Sequence, residues 1–384
     1  MLKILTIIGA RPQIIKAAAL SRAIRESYSD KIQEVLLHTG QHYDQNMSEV
    51  FFEQLRIPRP NYNLNVGSGT HGKQTATMLS GIEEALLQEQ PDFLVLYGDT
   101  NSTLAGAIAA SKLHIPIVHI EAGLRSFNKS MPEEINRIMC DHASTLLFSP
   151  TLTGIHNLER EGFSMKNTSP YSIDNPGVFH SGDVMYDNSL FFASLSAEQS
   201  KITNELELNN KPFILATIHR DNNTDQPERL NGIFEALYQI SVQKDISIVL
   251  PLHPRTAKLL KQNLNPLLYS NIKHCSKIHL ISPVSFLDMI ALEKNAVMVM
   301  TDSGGVQKEA FYFEKPCVIM RPETEWVEIV EHGAGIICDA DTDRIIAAVF
   351  HFMSDAQPTF PKVFGDGKAA WFICEQLLKN KNQT

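Results

Sequence analysis

The sequence predicts an α/β protein with two doubly wound domains. Short runs of valine, isoleucine and leucine alternate with helical stretches almost from end to end. Nearly continuous apolar runs of strand length are typical of parallel strands that are covered on both faces. The alternation falters once, near the middle of the chain, and then resumes. With 384 residues, 43% of them hydrophobic, the chain is long enough to build two separate cores.

The first half of the chain begins directly on a strand and continues as a strand–helix alternation. The strands are predicted at residues 2–8, 34–38, 93–97, 117–120 and 145–148. The helices between them are predicted at residues 12–27, 70–89, 100–112 and 133–143. Residues 166–179 are rich in asparagine, serine and proline, and this composition predicts a loop.

The second half repeats the pattern, which predicts a second doubly wound domain. Its strands are predicted at residues 213–217, 247–252, 278–281, 297–301 and 317–320. We expect an N-terminal domain of residues 1–190 and a C-terminal domain of residues 191–366. A last helix near residues 367–379 has no obvious strand partner. We expect the segment 367–384 to pack back on the N-terminal domain.

Composition excludes several classes of protein. The net charge of −9 disfavours a nucleic-acid binder. Apolar runs such as residues 93–97 are too short to cross a bilayer, and we see no signal-peptide pattern. The five cysteines show no CxxC spacing, which predicts reduced, mostly buried thiols in a cytoplasmic protein. We therefore expect no membrane partner and no metal site.

Unusual residues follow the predicted strands, where ligands of open α/β sheets bind. The segment Gly9-Ala10-Arg11-Pro12-Gln13, with Lys16 one turn later, opens a helix after the first strand. Two cations near a helix N-terminus predict an anion site, because free N–H groups there already favour negative charge. The alternative is a glycine turn with two solvated cations. The segment is not a GxGxxG fingerprint, so no nicotinamide cofactor is indicated.

Carboxylates follow two further strands of the N-terminal half. Asp99 comes directly after residues 93–97, and either it or a following residue, Thr100 or Asn101, could cap the next helix. Glu121 ends a buried strand and must be paired if it is buried; Arg125 is one possible partner. Glu133 and Glu134 begin a helix, a position that suits acidic residues in any case.

The C-terminal half carries its own candidates at strand ends. His219 follows the first of its strands and His253 follows the second. In the segment from Thr301, the turn Ser303-Gly304-Gly305 can point N–H groups at a diphosphate. Glu309, about one helical turn further, can accept two ribose hydroxyls. The alternative is a tight turn followed by a solvated glutamate.

These motifs together resemble the non-hydrolysing UDP-N-acetylglucosamine 2-epimerases. The resemblance rests on GARPQ, GDTNST, HIEAGLRS, MPEEINR, TDSGGVQKEA and a late FGDG turn, in order along the chain from Met1 to about residue 378. It implies two Rossmann-like domains in the glycosyltransferase-B-type arrangement. It also implies a homodimer that works on a UDP-sugar without metal or nicotinamide.

The resemblance implies a reaction and a role for each candidate residue. The family inverts carbon 2 of UDP-N-acetylglucosamine by eliminating UDP and adding it back, and we expect the product to feed surface polysaccharide synthesis. The catalytic residues implied are Asp99, Glu121, Glu133, His219 and Lys16. The residues implied to bind substrate are Arg11, Arg137, His253, Ser303, Gly304, Gly305 and Glu309.

Several segments depart from the family pattern. The common GTRPE is GARPQ here, HRxEN becomes HRDNN from His219, and TERPE becomes TEWVE from Thr324. Gln41-His42 continues as Tyr43-Asp44. In the family, the regions of the HRxEN and Gln-His segments help to bind a second, activating UDP-N-acetylglucosamine, so these changes argue against that activation. GARPQ, THG and TEWVE instead resemble the branch that acts on UDP-2,3-diacetamido-2,3-dideoxyglucuronate. A hydrolysing epimerase, a glycosyltransferase of the same fold and a non-catalytic UDP-sugar sensor remain alternatives.

Overall fold

A computed structural model describes residues 1–40, 58–354 and 358–381 of the chain. The chain divides into two compact units, Met1–Asn188 with Lys362–Thr384, and Ser189–Pro361. The departure at Gln41–Asp44 lies outside the described residues. Among the described residues, no helix is long and apolar enough to cross a membrane.

The first unit is built on a parallel sheet with the strand order β3-β2-β1-β4-β5-β6-β7. The strands are β1 (Leu2–Ile8), β2 (Ile32–His38), β3 (Tyr62–Asn63), β4 (Phe93–Tyr97), β5 (Ile117–Ile120), β6 (Leu146–Ser149) and β7 (Gly177–His180). The helices are α1 (Arg11–Ala23), α2 (His71–Glu89), α3 (Asn101–Lys112), α4 (Pro132–Ala143), α5 (Leu152–Arg160) and α6 (Val184–Gln199). The second unit begins within α6, at Ser189. A π-helical turn, Ile24–Tyr28, extends α1.

The second unit is built on a parallel sheet with the order β10-β9-β8-β11-β12-β13. The strands are β8 (Phe213–Thr217), β9 (Ser247–Pro251), β10 (Ile278–Ile281), β11 (Met298–Thr301), β12 (Cys317–Ile319) and β13 (Gly335–Ile337). The helices are α7 (Ile202–Glu205), α8 (Asp221–Thr224), α9 (Pro227–Gln243), α10 (Pro254–Asn263), α11 (Pro266–His274), α12 (Phe286–Asn295), α13 (Gly304–Tyr312), α14 (Val327–Glu331) and α15 (Thr342–Met353).

The central strands are apolar on both faces because helices cover both sides of each sheet. All five residues of β4 are buried, and so are all five of β8. In the first unit, Leu5 and Ile7 of β1 pack in one core with Met78 and Ile82 of α2. The two parallel sheets with interleaved helices confirm the predicted α/β class with two doubly wound, Rossmann-like parts. The five cysteines are free thiols and four of them are buried, as predicted.

Three strands were not predicted, and one of them corrects the predicted loop. β7 begins at Gly177, inside the span 166–179 that composition assigned to a loop. β3 has two residues and β13 has three, so neither offers a periodic pattern of its own. These strands form because a neighbouring strand supplies the pairing: β2 for β3, β6 for β7 and β12 for β13.

The last helix, α16 (Ala369–Asn380), packs against α1 within the first unit. Its first turn is held by the buried carboxylate of Asp187, which accepts hydrogen bonds from the backbone N–H of Ala369 (3.1 Å) and Ala370 (2.8 Å). Burial raises the pKa of Asp187 to about 6. Just before the helix, Gly365 lies against Gly182, where an added Cβ would be 2.9 Å from the other glycine's Cα.

Candidate functional site

Strand order places the first group of candidate residues at one edge of the first sheet. β1, β4 and β5 are adjacent parallel strands, so the residues after their carboxyl ends lie side by side. Arg11 and Lys16 follow β1, Asp99 follows β4, and Glu121 follows β5. The structure therefore brings together the cations and two of the carboxylates that the sequence predicted at strand ends.

The turn after β1 is locked by Gln13. Its side-chain oxygen accepts hydrogen bonds from the backbone N–H of Gly9 (2.9 Å) and Ala10 (3.2 Å). Its amide group donates to the carbonyl of Tyr97 (2.9 Å) and to Thr103 Oγ1 (3.0 Å). An amide can donate and accept, whereas an ionised glutamate only accepts. Glutamine at this position therefore ties the turn after β1 to the end of β4 in a way that the family's usual glutamate could not.

Lys16 and Glu121 form an ion pair that is mostly shielded from solvent. Burial alone would lower the pKa of Lys16, but the negative charges of Glu121, Asp99 and Asp183 outweigh it and raise the pKa. Glu121 has a left-handed backbone conformation with φ of 77°, which residues other than glycine rarely adopt. The chain therefore accepts local strain at the residue that meets Lys16.

Asp99 is paired with Arg137, which also binds Glu134. Glu134 is 1% exposed and accepts backbone hydrogen bonds from Ser126 (3.0 Å) and Phe127 (2.9 Å). Burial lowers the pKa of Arg137 on its own, but the charges of Asp99 and Glu134 raise it. Arg137 therefore links the carboxylate after β4 to the start of α4.

Glu133 behaves differently from its neighbour Glu134. It is exposed on the first turn of α4, and within the described residues it makes no hydrogen bond or ion pair. The sequence analysis singled out Glu133 and did not assign a role to Glu134. Two adjacent glutamates at a helix start look alike in sequence, and only the fold of residues 126–127 over Glu134 distinguishes them.

A buried histidine fixes the backbone directly after β4. His119 is 0% exposed; its Nδ1 bonds Asp141 (2.6 Å) and its Nε2 bonds the carbonyl of Gly98 (2.8 Å). Both partners accept, so both ring nitrogens carry protons and the ring is an imidazolium. Burial alone would lower its pKa, but the interactions with Cys140 and Asp141 raise it well above its ordinary value. The charged ring fixes the carbonyl that directly precedes Asp99.

Two structural alternatives from the sequence are wrong. Arg125 does not pair with Glu121: it binds Asp141 (2.7 Å) and makes a bidentate contact with Glu161. Asp99 does not cap the following helix, because Thr100 does so by accepting a hydrogen bond from the N–H of Thr103. Asp99 and Glu121 instead pair with Arg137 and Lys16 at this edge of the sheet.

The second group of candidates lies at one edge of the second sheet. β9, β8 and β11 are adjacent and parallel, so His253, His219 and Ser303, which follow them, stand in a row. His253 caps α10, its Nδ1 accepting from the N–H of Arg255 (3.3 Å). It is exposed, as is His219, whose side chain is 54% exposed.

Asp302 anchors this row, although the sequence analysis gave it no role. It is fully buried and accepts hydrogen bonds from the N–H groups of His219 and Arg220 and from the amide of Asn223, all near 3.1 Å. Its other oxygen meets His219 Nδ1 at 3.1 Å. Burial raises the pKa of Asp302, but the bonds to His219 and its neighbours outweigh that effect and lower it. The carboxylate thus fixes His219 at the strand end.

The N-terminus of α13 has the form predicted for an anion cradle. Ser303 caps the helix through the N–H of Val306, while Gly304 and Gly305 occupy the first two helical positions. The N–H groups at these positions have no partner inside a helix. A Cβ on Gly304 would lie 3.4 Å from Glu325 and 3.5 Å from the indole nitrogen of Trp326. The TEWVE segment therefore borders the cradle, and Glu309 follows within α13.

No group of three or more histidine, cysteine, aspartate or glutamate residues in the described part of the chain is placed to hold a metal ion. The two strand-end groups present arginine, lysine and histidine side chains and helix N–H groups. Such groups stabilise phosphate oxygens and developing negative charge.

Comparisons with known proteins show which family the chain resembles. A family model described as UDP-N-acetylglucosamine 2-epimerase matches residues 24–378. The chain is 48% identical to a UDP-N-acetylglucosamine 2-epimerase homolog of Methanococcus maripaludis, over 98% of this chain and 99% of that protein. It is also 48% identical to the UDP-2,3-diacetamido-2,3-dideoxy-D-glucuronate 2-epimerase of Pseudomonas aeruginosa, over 98% of this chain and all of that protein.

A solved structure is similar over nearly the whole chain. It is the UDP-GlcNAc 2-epimerase of Methanocaldococcus jannaschii in complex with UDP-GlcNAc and UDP. It superposes with a TM-score of 0.80 at 40% identity, covering 98% of this chain and 100% of that one.

Proposed function

Since the chain belongs to the UDP-N-acetylglucosamine 2-epimerase family, we propose that it inverts carbon 2 of a UDP-linked 2-acetamido sugar without hydrolysing it. The observation that supports this most directly is the edge of the first sheet, where two carboxylates meet two partly buried cations. An elimination needs acid–base groups for the proton at carbon 2 and positive charge for the departing diphosphate. Both are present in one group of residues.

The proposed reaction has two balanced steps. A carboxylate removes the proton from carbon 2 while the bond between carbon 1 and the diphosphate oxygen breaks, giving a 2-acetamidoglucal and UDP. UDP then adds back to carbon 1 while a proton arrives at carbon 2 from the opposite face. We assign the proton transfers to Asp99, Glu121 and Glu133 as a group, since an elimination and its reversal need a base on one face of carbon 2 and an acid on the other.

Cations and helix N–H groups hold the leaving group in this proposal. We assign Lys16 and His219 to the diphosphate as it departs, with Arg11 and Arg137 as further binding cations. The support for Lys16 is its raised pKa, which keeps it charged although it is partly buried beside Glu121. The support for His219 is its anchoring by Asp302 at an exposed strand end.

The nucleotide is assigned to the second unit. We propose that Ser303, Gly304 and Gly305 receive the diphosphate at the N-terminus of α13, and that Glu309 binds the ribose hydroxyls. His253, in the same row of strand ends, contributes to binding. The relative from Methanocaldococcus jannaschii is described as a complex with UDP-GlcNAc and UDP, which supports a UDP site in this fold.

Two sugars are candidates for the substrate. The Pseudomonas aeruginosa relative, 48% identical, is named for UDP-2,3-diacetamido-2,3-dideoxy-D-glucuronate, and the TEWVE, THG and GARPQ segments favour this sugar. UDP-N-acetylglucosamine is the second candidate, supported by relatives that are named for it. We further propose that the enzyme is a cytoplasmic homodimer, on the family resemblance, and light scattering of the purified protein tests the dimer.

The proposal is tested by NMR of each UDP-sugar incubated with the protein in heavy water. We expect deuterium to enter at carbon 2 of at least one sugar without any acceptor, together with the manno or corresponding epimer. No exchange with either sugar would overturn the proposal. Free sugar released in step with UDP would identify a hydrolysing epimerase, and product that requires an acceptor would identify a glycosyltransferase.

A further inference from the structure

A second carboxyl group lies behind Glu309, and the sequence analysis gave it no role. Glu293 is on α12, next to Leu292, which packs in a core cluster with Phe213 and Leu215 of β8. Its side chain is 0% exposed. Among the described residues, no hydrogen-bond donor reaches either of its carboxyl oxygens. The group that interacts with it is the carboxyl of Glu309 on α13.

Two ionised carboxylates cannot share this position. Both offer only acceptor oxygens, so no hydrogen bond forms between them, and a buried charge without a counter-ion is costly. One proton between the two groups removes both problems, because O–H···O⁻ hydrogen bonds are short and strong. Burial, together with the charge and the hydrogen bond of Glu309, raises the pKa of Glu293 well above its ordinary value, so Glu293 keeps the proton.

We propose that Glu293 is a neutral carboxylic acid that donates a hydrogen bond to Glu309 and so positions that carboxylate for the ribose diol of the nucleotide. The inference rests on the proposed function, in which Glu309 binds the ribose. Glu293 itself is buried and touches no ligand, so it is a positioning residue. Its O–H would donate to one oxygen of Glu309 and so fix the direction in which this carboxylate faces the 2′- and 3′-hydroxyls.

The geometry also explains why a carboxylic acid suits this position better than an aliphatic residue. A carboxylate held only by its own flexible stem loses rotamer entropy when it binds a diol. A hydrogen bond from a fixed neighbour orients Glu309 before the nucleotide arrives, and preorganisation of this kind reduces the cost of binding. Glutamine at 293 retains a donor, whereas leucine fills a similar volume without one.

The first test is infrared spectroscopy of the whole chain, without nucleotide. We expect the difference spectrum, wild type minus Glu293→Gln at neutral pH, to show the C=O band of one protonated carboxyl group. The difference removes the contribution of other buried carboxyl groups such as Asp187, and a difference spectrum without this band would overturn the proposal. Because no ligand is present, this result does not depend on the proposed function.

The second test measures the binding of UDP and 2′-deoxy-UDP by calorimetry. We expect the wild type and Glu293→Gln to prefer UDP by roughly tenfold, the scale of one hydrogen bond to a charged group. Glu293→Leu should bind the two nucleotides about equally. The matched control, Lys294→Leu, changes the exposed neighbour on the same helix and should keep the preference.

The outcomes separate the inference from the function on which it rests. A folded Glu293→Leu variant that prefers UDP as strongly as the wild type overturns the positioning role, while the proposed function stands. A wild type that does not bind UDP, or that binds UDP and 2′-deoxy-UDP equally, removes the ribose role of Glu309 and the positioning role with it.

Discussion

The buried imidazolium of His119 gives the sharpest stability prediction. Substitution by leucine removes the hydrogen bonds to Asp141 (2.6 Å) and to the carbonyl of Gly98 (2.8 Å). Each is a charge-assisted bond that contributes about 1.5 kcal/mol or more. Asp141 keeps its contact with Arg125, so the loss stays below that of a fully orphaned buried charge. We expect His119→Leu to lower the free energy of unfolding by about 3 kcal/mol at pH 6.

The pH dependence gives this prediction a second readout. The pKa of His119 is raised on folding, so its stabilising effect is complete below the unfolded pKa of about 6.5 and is lost as pH rises toward the folded value. Urea unfolding of wild type and variant from pH 6 to 9 should therefore show the difference shrinking with pH. The control His156→Leu, on the exposed face of α5, should change stability by less than about 0.5 kcal/mol. A His119→Leu loss under about 1 kcal/mol, or a difference that grows with pH, would refute the reasoning.

Three further predictions concern the two strand-end groups. Lys16→Met should reduce kcat by about 10²-fold or more in the epimerisation assay, since it removes the partly buried cation beside Glu121, while circular dichroism stays unchanged. Gly9→Ala should destabilise the first unit by about 1–3 kcal/mol in urea unfolding, because the added Cβ would overlap the hydroxyls of Ser102 and Thr39. Asp302→Ala should weaken UDP binding by roughly tenfold in calorimetry, because His219 loses its anchor.

The sequence predicted the fold wherever a strand carried its own apolar pattern. The strands at 2–8, 93–97 and 213–217 have the predicted bounds, because nearly all of their residues are buried and most of them are apolar. β3 and β13 escaped prediction because two or three residues hold no period, and pairing with a neighbour decides their conformation. β7 was hidden by the turn-forming residues that precede Gly177.

The candidate site divides in the same way. Strand-end residues such as Lys16 and Glu121 could be found because the carboxyl edge of a parallel sheet is where ligands bind. The residues that fix the backbone around these strand ends could not be predicted, because their partners are distant in sequence. Gln13 bonds Tyr97, and His119 bonds Asp141. The burial of Glu293 was the hardest feature to predict. Its segment, LEKN, is typical of a solvent-exposed helix end, and only the fold shows that Glu293 is buried.

The ion pairs of the first unit link substrate binding to catalysis under the proposed function. Glu121 is paired with Lys16 and Asp99 with Arg137, so each carboxylate meets a cation that also suits a phosphate oxygen. A phosphate oxygen of the diphosphate would compete with Glu121 for the ammonium group of Lys16. Binding of the UDP-sugar would therefore loosen the ion pair of Glu121 just when the sugar is present. Under this arrangement Lys16 affects kcat as well as substrate binding.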